Sequence, residues 1–439
     1  MLKKNMVGKV ILLFSLMVAL AVVVGCGAQP AAPAEKPAEK AAAATEEKVA
    51  ASSSEPVTVR FVILGYSPNT PKLYQEAIDD FQAANPNIKV TLENVSWDLA
   101  HEKILGWISS GDTPDISVVG PKWLPELMGL DGLQPFDQYV SKDFLSNFPK
   151  SLTDPLTIDG KVYSIPEALS TRLMYYRKDL YEQAGFKEPP KTWDEFVKVS
   201  QAVNKQPDMA GFSLQGSGDE TIWYYTYFML GAGGYFTDDS GNWKLNQPAN
   251  VEALQFEVDL VKKYQVSPPD PTSIAQETVQ GLFTSGKAAA YWGPPWTLPA
   301  IDPSIRDKVG LVDYPTKSGE PAPLYIQDSF VLFKKAKQPA EAVKFLEFWS
   351  TDKYQVKFNT TESLIPVTIS AGKDKAFADD PALQRFVQSI GYSRSYPLKD
   401  GWETVNVALR EAVQAALLGT DPQKALDDAQ AKVEAAAKK

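Results

Sequence analysis

From Val57 to Gly120 the spacing of apolar residues alternates between every second position and every third or fourth. No other feature limits the possible folds as strongly. "VTVRFVI" places Val57, Val59, Phe61 and Ile63 on one side of a strand. "KLYQEAIDDFQAANP" places Tyr74, Ala77, Ile78 and Phe81 on one helical face and ends at Asn85-Pro86. "NIKVTLENV" alternates again through Ile88, Val90 and Leu92, "WDLAHEKILGWISSG" is helical up to Gly111, and "PDISVVG" is a short buried strand. This order requires parallel strands joined by crossover helices, an open α/β sheet. Ligands of such sheets lie beyond the carboxyl ends of the strands. That rule puts "GYSPN", with Tyr66 and Asn69, and "GPKW", with Lys122 and Trp123, beside a cleft. Trp97, at the start of the second helix, falls on the same edge, and Asp115 of "PDI", a residue that often serves as a structural cap, stands near enough to the site to be a binding candidate.

The second half repeats the style without repeating the sequence. "RLMYYRKDLYEQAG" reads as strand then helix, and "KTWDEFVKVSQAVNK" opens with a capping box, Thr192 and Glu195. "GYFTDDSGNWKLN" reads as a hairpin turning at Ser240-Gly241, and its Asp238 and Asp239 lack the spacing of a calcium loop. "VEALQFEVDLVKKY" stacks Val251, Leu254, Val258 and Val261 towards a core. Two helices end the chain, one stopped by Gly419 and one capped by Asp421 with Pro422 at its first position. A body of about 380 residues from Val57 is too large for one simple core and divides into two lobes.

The first residues address the compartment. Lys3, Lys4 and Lys9 precede an apolar run from Val10 to Val24, shorter than a comfortable membrane span. The run stops at "VVGC", which resembles the lipobox of bacterial lipoproteins, where the cysteine is lipidated and becomes the new N-terminus. Cys26 is the single cysteine, so stability comes from a hydrophobic core and not from a disulfide within the chain. Residues 1–25 are expected to be a lipoprotein signal peptide. Residues 26–56, rich in Ala, Pro, Glu, Lys and Ser, are expected to be a disordered tether. The expectation is an extracytoplasmic monomer held at the cell membrane by lipidated Cys26 alone. Without the three leader lysines the chain has 41 basic against 54 acidic side chains, a balance that repels nucleic acid and anionic lipid.

Chemistry is constrained mainly by what is missing. "QGLFTSGKAAAYWGPPW" contains Gly281, four residues, then Gly286-Lys287, close to a nucleotide-binding phosphate loop. The magnesium-holding Ser or Thr is replaced by Ala288, and the order is helix then strand, the reverse of what phosphate binding needs. No cofactor and no metal site is expected. His101 is the single histidine, and no Gly-x-Ser-x-Gly occurs. A glycosidase needs only two carboxylates, and with 54 acids that alternative stays open. Aromatics make up 11% of residues, enough to furnish a binding surface as well as a core. A sugar offers apolar CH faces and a rim of hydroxyls, so its site needs flat rings and bidentate polar groups. Trp296, stiffened by the two prolines of "WGPPW", is the leading ring, with Trp292 before it.

Several segments occur together and in order: the lipobox, "FQAANPNIKV", "SSGDTPDI", "DGKVYSIPEALSTRLMYYRKDLYEQAG", "PKTWDEF", "FTSGKAAAYWGPPW", "QPAEAVKFLEFW" and "ALDDAQAKVE". Over Val57 to Lys439 the chain resembles the family 1 extracytoplasmic solute-binding proteins, the maltose-binding type that feeds carbohydrate ABC importers. The resemblance implies a type II periplasmic-binding-protein fold: two open α/β lobes on a multi-crossing hinge, closing on a small carbohydrate. Crossings are expected near Ser164–Glu167, Gln327–Phe330 and Arg394–Lys399. One lobe would be residues 57–165 plus 331–393, the other 166–330 plus 394–439. The resemblance also implies a partner, the permease subunits of an ABC transporter. It implies that Gly293-Pro294-Pro295-Trp296 delivers an aromatic to the sugar, and that Glu167 of "PEALS" reaches sugar hydroxyls. It further implies that Trp123 and Lys122 follow the site-bearing strand, and that Trp223, Tyr224 and Tyr225 of "IWYYTYF" furnish an aromatic wall, at most two of them facing the cleft. Trp402 matches a further stacking ring, about a turn earlier than in the maltose binders. Binding of a non-sugar solute, or presentation of the solute to a sensor kinase, stays open beside transport.

Overall fold

The computed structural model describes residues 55–205, 209–218 and 221–438. The signal peptide, Cys26 and nearly all of the tether lie outside the described residues. Eleven strands are described: β1 (Val57–Leu64), β2 (Ile88–Val95), β3 (Ile116–Val119), β4 (Leu133–Gln134), β5 (Thr157–Ile158), β6 (Lys161–Val162), β7 (Ser164–Thr171), β8 (Leu173–Arg177), β9 (Ala290–Gly293), β10 (Val309–Val312) and β11 (Tyr325–Phe333).

The alternation at the start of the body folds as its spacing requires. β1 pairs in parallel with β2 and with β3, and the helices Thr70–Ala84 and Trp97–Ser110 are the crossovers. The first buries Leu73, Tyr74, Ala77, Ile78 and Phe81, the stripe visible in the sequence. The second ends because Gly111 adopts φ 76°, a left-handed geometry that glycine takes without steric cost. The sheet then departs from a purely parallel plan. β11 arrives from far along the chain and pairs antiparallel with β3, giving the order β2-β1-β3-β11-β4. A second sheet, β10-β8-β9, is antiparallel and three-stranded.

β7 and β11 connect the two sheets. Ser329 to Leu332 of β11 pair with β3, whereas Tyr325 to Asp328 pair with β7 alone. β7 continues through Arg172 directly into β8 of the second sheet. A third link is the parallel bridge between Leu324 and Arg394.

Local expectations in the second half mostly hold. Thr192 Oγ1 accepts the Glu195 amide, and Glu195 Oε2 accepts the Thr192 amide. Asp238 accepts the amides of Ser240 and Asn242, so it organises a turn, although a single bridge, Thr237 to Trp243, replaces the expected hairpin strands. The helix Gln276–Thr284 ends before Gly286, whose φ is 79°, and β9 follows. The Gly-Lys pair therefore closes a helix instead of opening one. In the helix Pro248–Lys262, Leu254 and Val261 are buried as expected, but so is Glu257, which no periodicity signals. The helix is packed on more than one side, so a face that reads as polar is enclosed.

Candidate functional site

The floor of the site is built by β7 and β11. Asp328 stands opposite Ala168 and Ser329 opposite Pro166, so Glu167 is the extra residue of a β-bulge. Pro166 has no amide to give the ladder, and a bulge re-aims the side chain that it carries. Glu167 is fully buried. Its Oε1 accepts the Tyr74 hydroxyl, and its Oε2 accepts the Tyr66 hydroxyl at 2.6 Å. Asp328 Oδ2 lies 2.9 Å from that same Tyr66 oxygen. Glu362 closes the floor behind Tyr66, accepting the hydroxyls of Thr70 at 2.9 Å and Ser67 at 3.0 Å.

Burial pushes the Glu167 carboxyl up to about 8, although both tyrosine hydrogen bonds favour its ionised form. Burial likewise pushes Asp328 up to about 7, against the pull of Tyr66, Lys122 and Arg172. Burial and then the neighbouring carboxylates hold the Tyr66 and Tyr74 phenols well above their ordinary value. Near neutral pH the floor therefore keeps protons and presents O–H donors together with acceptors. That mixture suits hydroxyl groups, which donate and accept at once.

Rings form the walls. On the side of the six-stranded sheet Tyr66, Trp97 and Trp123 follow one another, with centroids 6.1 Å apart at each step. Trp223 faces them from the helix Thr221–Gly231, backed by Tyr396 at 6.0 Å and by Trp402, stacked at 6.4 Å and 18°. Lys122 Nζ lies 5.7 Å from the ring centroids of both Trp123 and Trp223. Trp123 Nε1 donates to Glu403 Oε1 at 2.9 Å, a second contact across the gap. Trp296, half-buried in the 3-10 turn after β9, has the Arg172 guanidinium 4.9 Å from its ring centroid. Arg172 is buried and also donates to Ser170 Oγ at 3.0 Å. Flat apolar faces above a floor of mixed donors and acceptors match a molecule with apolar ring faces and a hydroxyl rim.

The chain matches the family described as bacterial extracellular solute-binding protein over residues 67–356, more than half of its length. It is 33% identical over 398 residues to a binding protein of Brucella abortus (strain 2308), covering 89% of this chain and 95% of that one. The chain belongs to the bacterial extracellular solute-binding proteins. A maltotriose-binding protein of Pyrococcus abyssi is 23% identical over 342 residues, covering 75% of this chain and 71% of its own. The structure of the sugar-binding protein MalE from Xanthomonas citri superposes with a TM-score of 0.75 at 26% identity, covering 87% of this chain and 98% of that one. The fold is thus the two-lobed, mixed α/β architecture of the maltose-binding type of solute-binding protein.

Within this solute-binding protein the structure sorts the residues singled out from the sequence. Tyr66, Trp97, Lys122, Trp123 and Trp223 converge on the cleft, and Trp296 joins them through Arg172. Glu167, expected to reach the solute itself, is a correction: it is fully buried beneath them, with both oxygens taken by Tyr66 and Tyr74. Trp402 supports Trp223 from behind and is itself 2% exposed. Trp292 and Tyr224 are corrections. Trp292 is 1% exposed and enclosed by Phe196, Phe212, Phe228 and Tyr314, and Tyr224 donates its hydroxyl to the Trp292 carbonyl. Both belong to the core because β9 places Trp292 beneath the helix that carries Tyr224. Tyr225 is buried too, donating to the Asn250 carbonyl, so of the three adjacent rings Trp223 alone reaches the cleft. Asp115 is a second kind of correction. Its oxygens accept the amides of Arg60, Lys337 and Gln338, which ties β1 to the start of the helix Pro339–Trp349. Asn69 is exposed at the cap position of the helix Thr70–Ala84 and makes no side-chain capping bond.

Asp328, Arg172, Glu362 and Glu403 were not singled out, and Tyr74 was read only as a core residue of its helix. Two of them left a signal. Asp328 interrupts the apolar strand "YIQDSFVLF", and Arg172 interrupts the buried run from β7 into β8. A charge inside such a run requires a partner.

Proposed function

We propose that this solute-binding protein captures a sugar, an oligosaccharide, between its two lobes outside the cytoplasmic membrane and delivers it to the permease subunits of an ABC transporter. The observation that carries the reading is the meeting of Trp123 and Trp223 at Lys122 above the Glu167–Asp328 pair. The names of the maltotriose-binding relative and of the sugar-binding neighbour point the same way. β7, β11 and the Leu324–Arg394 bridge would act as the hinge. The lobes would be residues 57–165 plus 331–393, and 166–330 plus 394–439. A lipid on Cys26 would keep the protein at the cell membrane. Binding is proposed without turnover, because the relatives are named as binding proteins.

The test is a thermal-shift screen of mono- and oligosaccharides, followed by titration of any hit and recovery of the bound sugar. A sugar that raises the melting temperature and returns intact supports the reading, because ligand stabilises the folded form to which it binds. A polyamine, amino acid or phosphate that shifts the melt where no sugar does would overturn the substrate class. Release of reducing ends would overturn the absence of turnover.

A further inference from the structure

Continuous with the cleft through Lys122 and Trp123, a groove of about 610 Å³ opens between Trp123 and Glu126 on one side, and the 399–404 segment with the helix Pro422–Ala436 on the other. Its size falls within the range of roughly 300–1,000 Å³ typical of small-molecule sites. Three features point to what it takes. First, its rings continue those of the cleft: Trp402, stacked on Trp223, also lines the groove, and Trp243 follows at 6.1 Å. Second, Trp243 is a fixed platform. Its Nε1 donates to the Asp400 carbonyl at 2.9 Å, and Lys399 Nζ lies 5.9 Å from its ring centroid, while the ring stays half-buried. Third, polar groups of both kinds surround the rings, Lys399 as donor and Glu434 as acceptor. The Trp402 indole N–H, on a residue 2% exposed, has no hydrogen-bond partner among the described residues.

We propose that this groove is an outer subsite of the cleft, taking the far rings of a linear oligosaccharide whose other end lies between Trp123 and Trp223. The proposal rests on the sugar-binding reading above. The Trp243 face stacks on a sugar ring, and Lys399 and Glu434 bond its hydroxyls. The lining has two cations, Lys122 and Lys399, against four carboxylates, Glu126, Asp400, Glu403 and Glu434, which disfavours an acidic ligand. The Trp243 face and the mixed donors and acceptors fit a hydroxyl-rich ring. The consequence is selection by length: short sugars fill only the cleft, and longer ones gain the groove.

The experiment titrates the wild type, Trp243→Ala, Trp243→Phe and Glu434→Gln with α-1,4- and β-1,4-linked gluco-oligosaccharides from the disaccharide to the hexasaccharide. Wild-type affinity is expected to rise with length beyond the disaccharide in the series that binds. Trp243→Ala should lose roughly 10-fold on the longest sugars, the loss of one stacked ring, with disaccharide binding unchanged. Trp243→Phe should keep most of the gain. If Trp243→Ala folds poorly, Glu434→Gln must show the same length-dependent loss on a smaller scale. A loss equal at every length, or no loss at any, overturns the subsite while leaving sugar binding intact. Absence of wild-type binding to any sugar in the thermal-shift screen overturns both.

Discussion

Glu167 and Asp328 stand on neighbouring antiparallel strands and both reach the Tyr66 hydroxyl, Oε2 of the first at 2.6 Å and Oδ2 of the second at 2.9 Å. A phenol has one hydrogen to donate, so it cannot satisfy two ionised carboxylates equally. The arrangement is satisfied when one carboxyl keeps its own proton and donates to the phenol oxygen. The raised values of both acids agree with that geometry. The group also lies where the chain passes between the two sheets.

Stability should therefore fall on the alkaline side. Glu167 is raised from 4.5 to about 8 and Asp328 from 3.8 to about 7. Groups raised on folding contribute stability that is fully present below their unfolded values and is lost as pH rises through the folded ones. The ligand-free protein should melt lower at pH 8.5 than at pH 5, and Glu167→Gln should shrink that difference by at least ~2 °C. An unchanged difference in scanning calorimetry would show that Glu167 is ionised in the folded protein.

Glu257 is a separate liability. It is fully buried, neither carboxyl oxygen has a hydrogen-bond partner among the described residues, and burial holds its proton well above the ordinary value of 4.5. Above that value the unfolded chain gains by ionising and the folded chain does not. Glu257→Leu should raise stability at pH 7.5 by ~1–3 kcal/mol in denaturant unfolding, with a smaller gain at pH 4. Destabilisation at pH 7.5 would mean that Glu257 has a partner in solution.

Trp292 and Trp296, two residues either side of Pro294, should separate stability from binding. Trp292→Ala removes a ring that is 1% exposed and should cost ~3–5 kcal/mol of folding stability. Trp296→Ala removes a half-buried ring stacked by Arg172 and should weaken ligand binding by roughly 10- to 100-fold, with the ligand-free melting temperature almost unchanged. Titration calorimetry beside thermal unfolding reads both. Equal losses of stability in the two variants would place Trp296 in the core.

Anchoring is tested at Cys26. Cys26→Ala should move the protein from the detergent phase to the aqueous phase in phase partitioning, since the lipid is the proposed anchor. Retention in the detergent phase would overturn the lipoprotein reading.

The parallel start of the body was legible because its signals are local. A period of two or of three to four residues is set by neighbours along the chain, as are the Thr192–Glu195 cap and the Gly111 stop. The same locality explains why Gly286-Lys287 could be read as the end of a helix. The order of motifs also identified the family, and the charges at Arg172 and Asp328 were visible as interruptions of apolar strands. Which groups those charges meet was not. Tyr66 and Asp328 are 262 positions apart, and no periodicity relates them. Trp223, Tyr224 and Tyr225 are adjacent in sequence, yet the first lines the cleft while the others support the core. Successive residues on a helix point in different directions, and the enclosure of each depends on what packs there from distant segments, here β9 for Tyr224 and Asn250 for Tyr225. Sequence alone therefore determined most of the local elements, the fold family and the chemistry available to a site. Tertiary structure decided which rings face solute and which carboxyls share a proton, because burial and pairing are properties of the packed chain and not of any stretch of it.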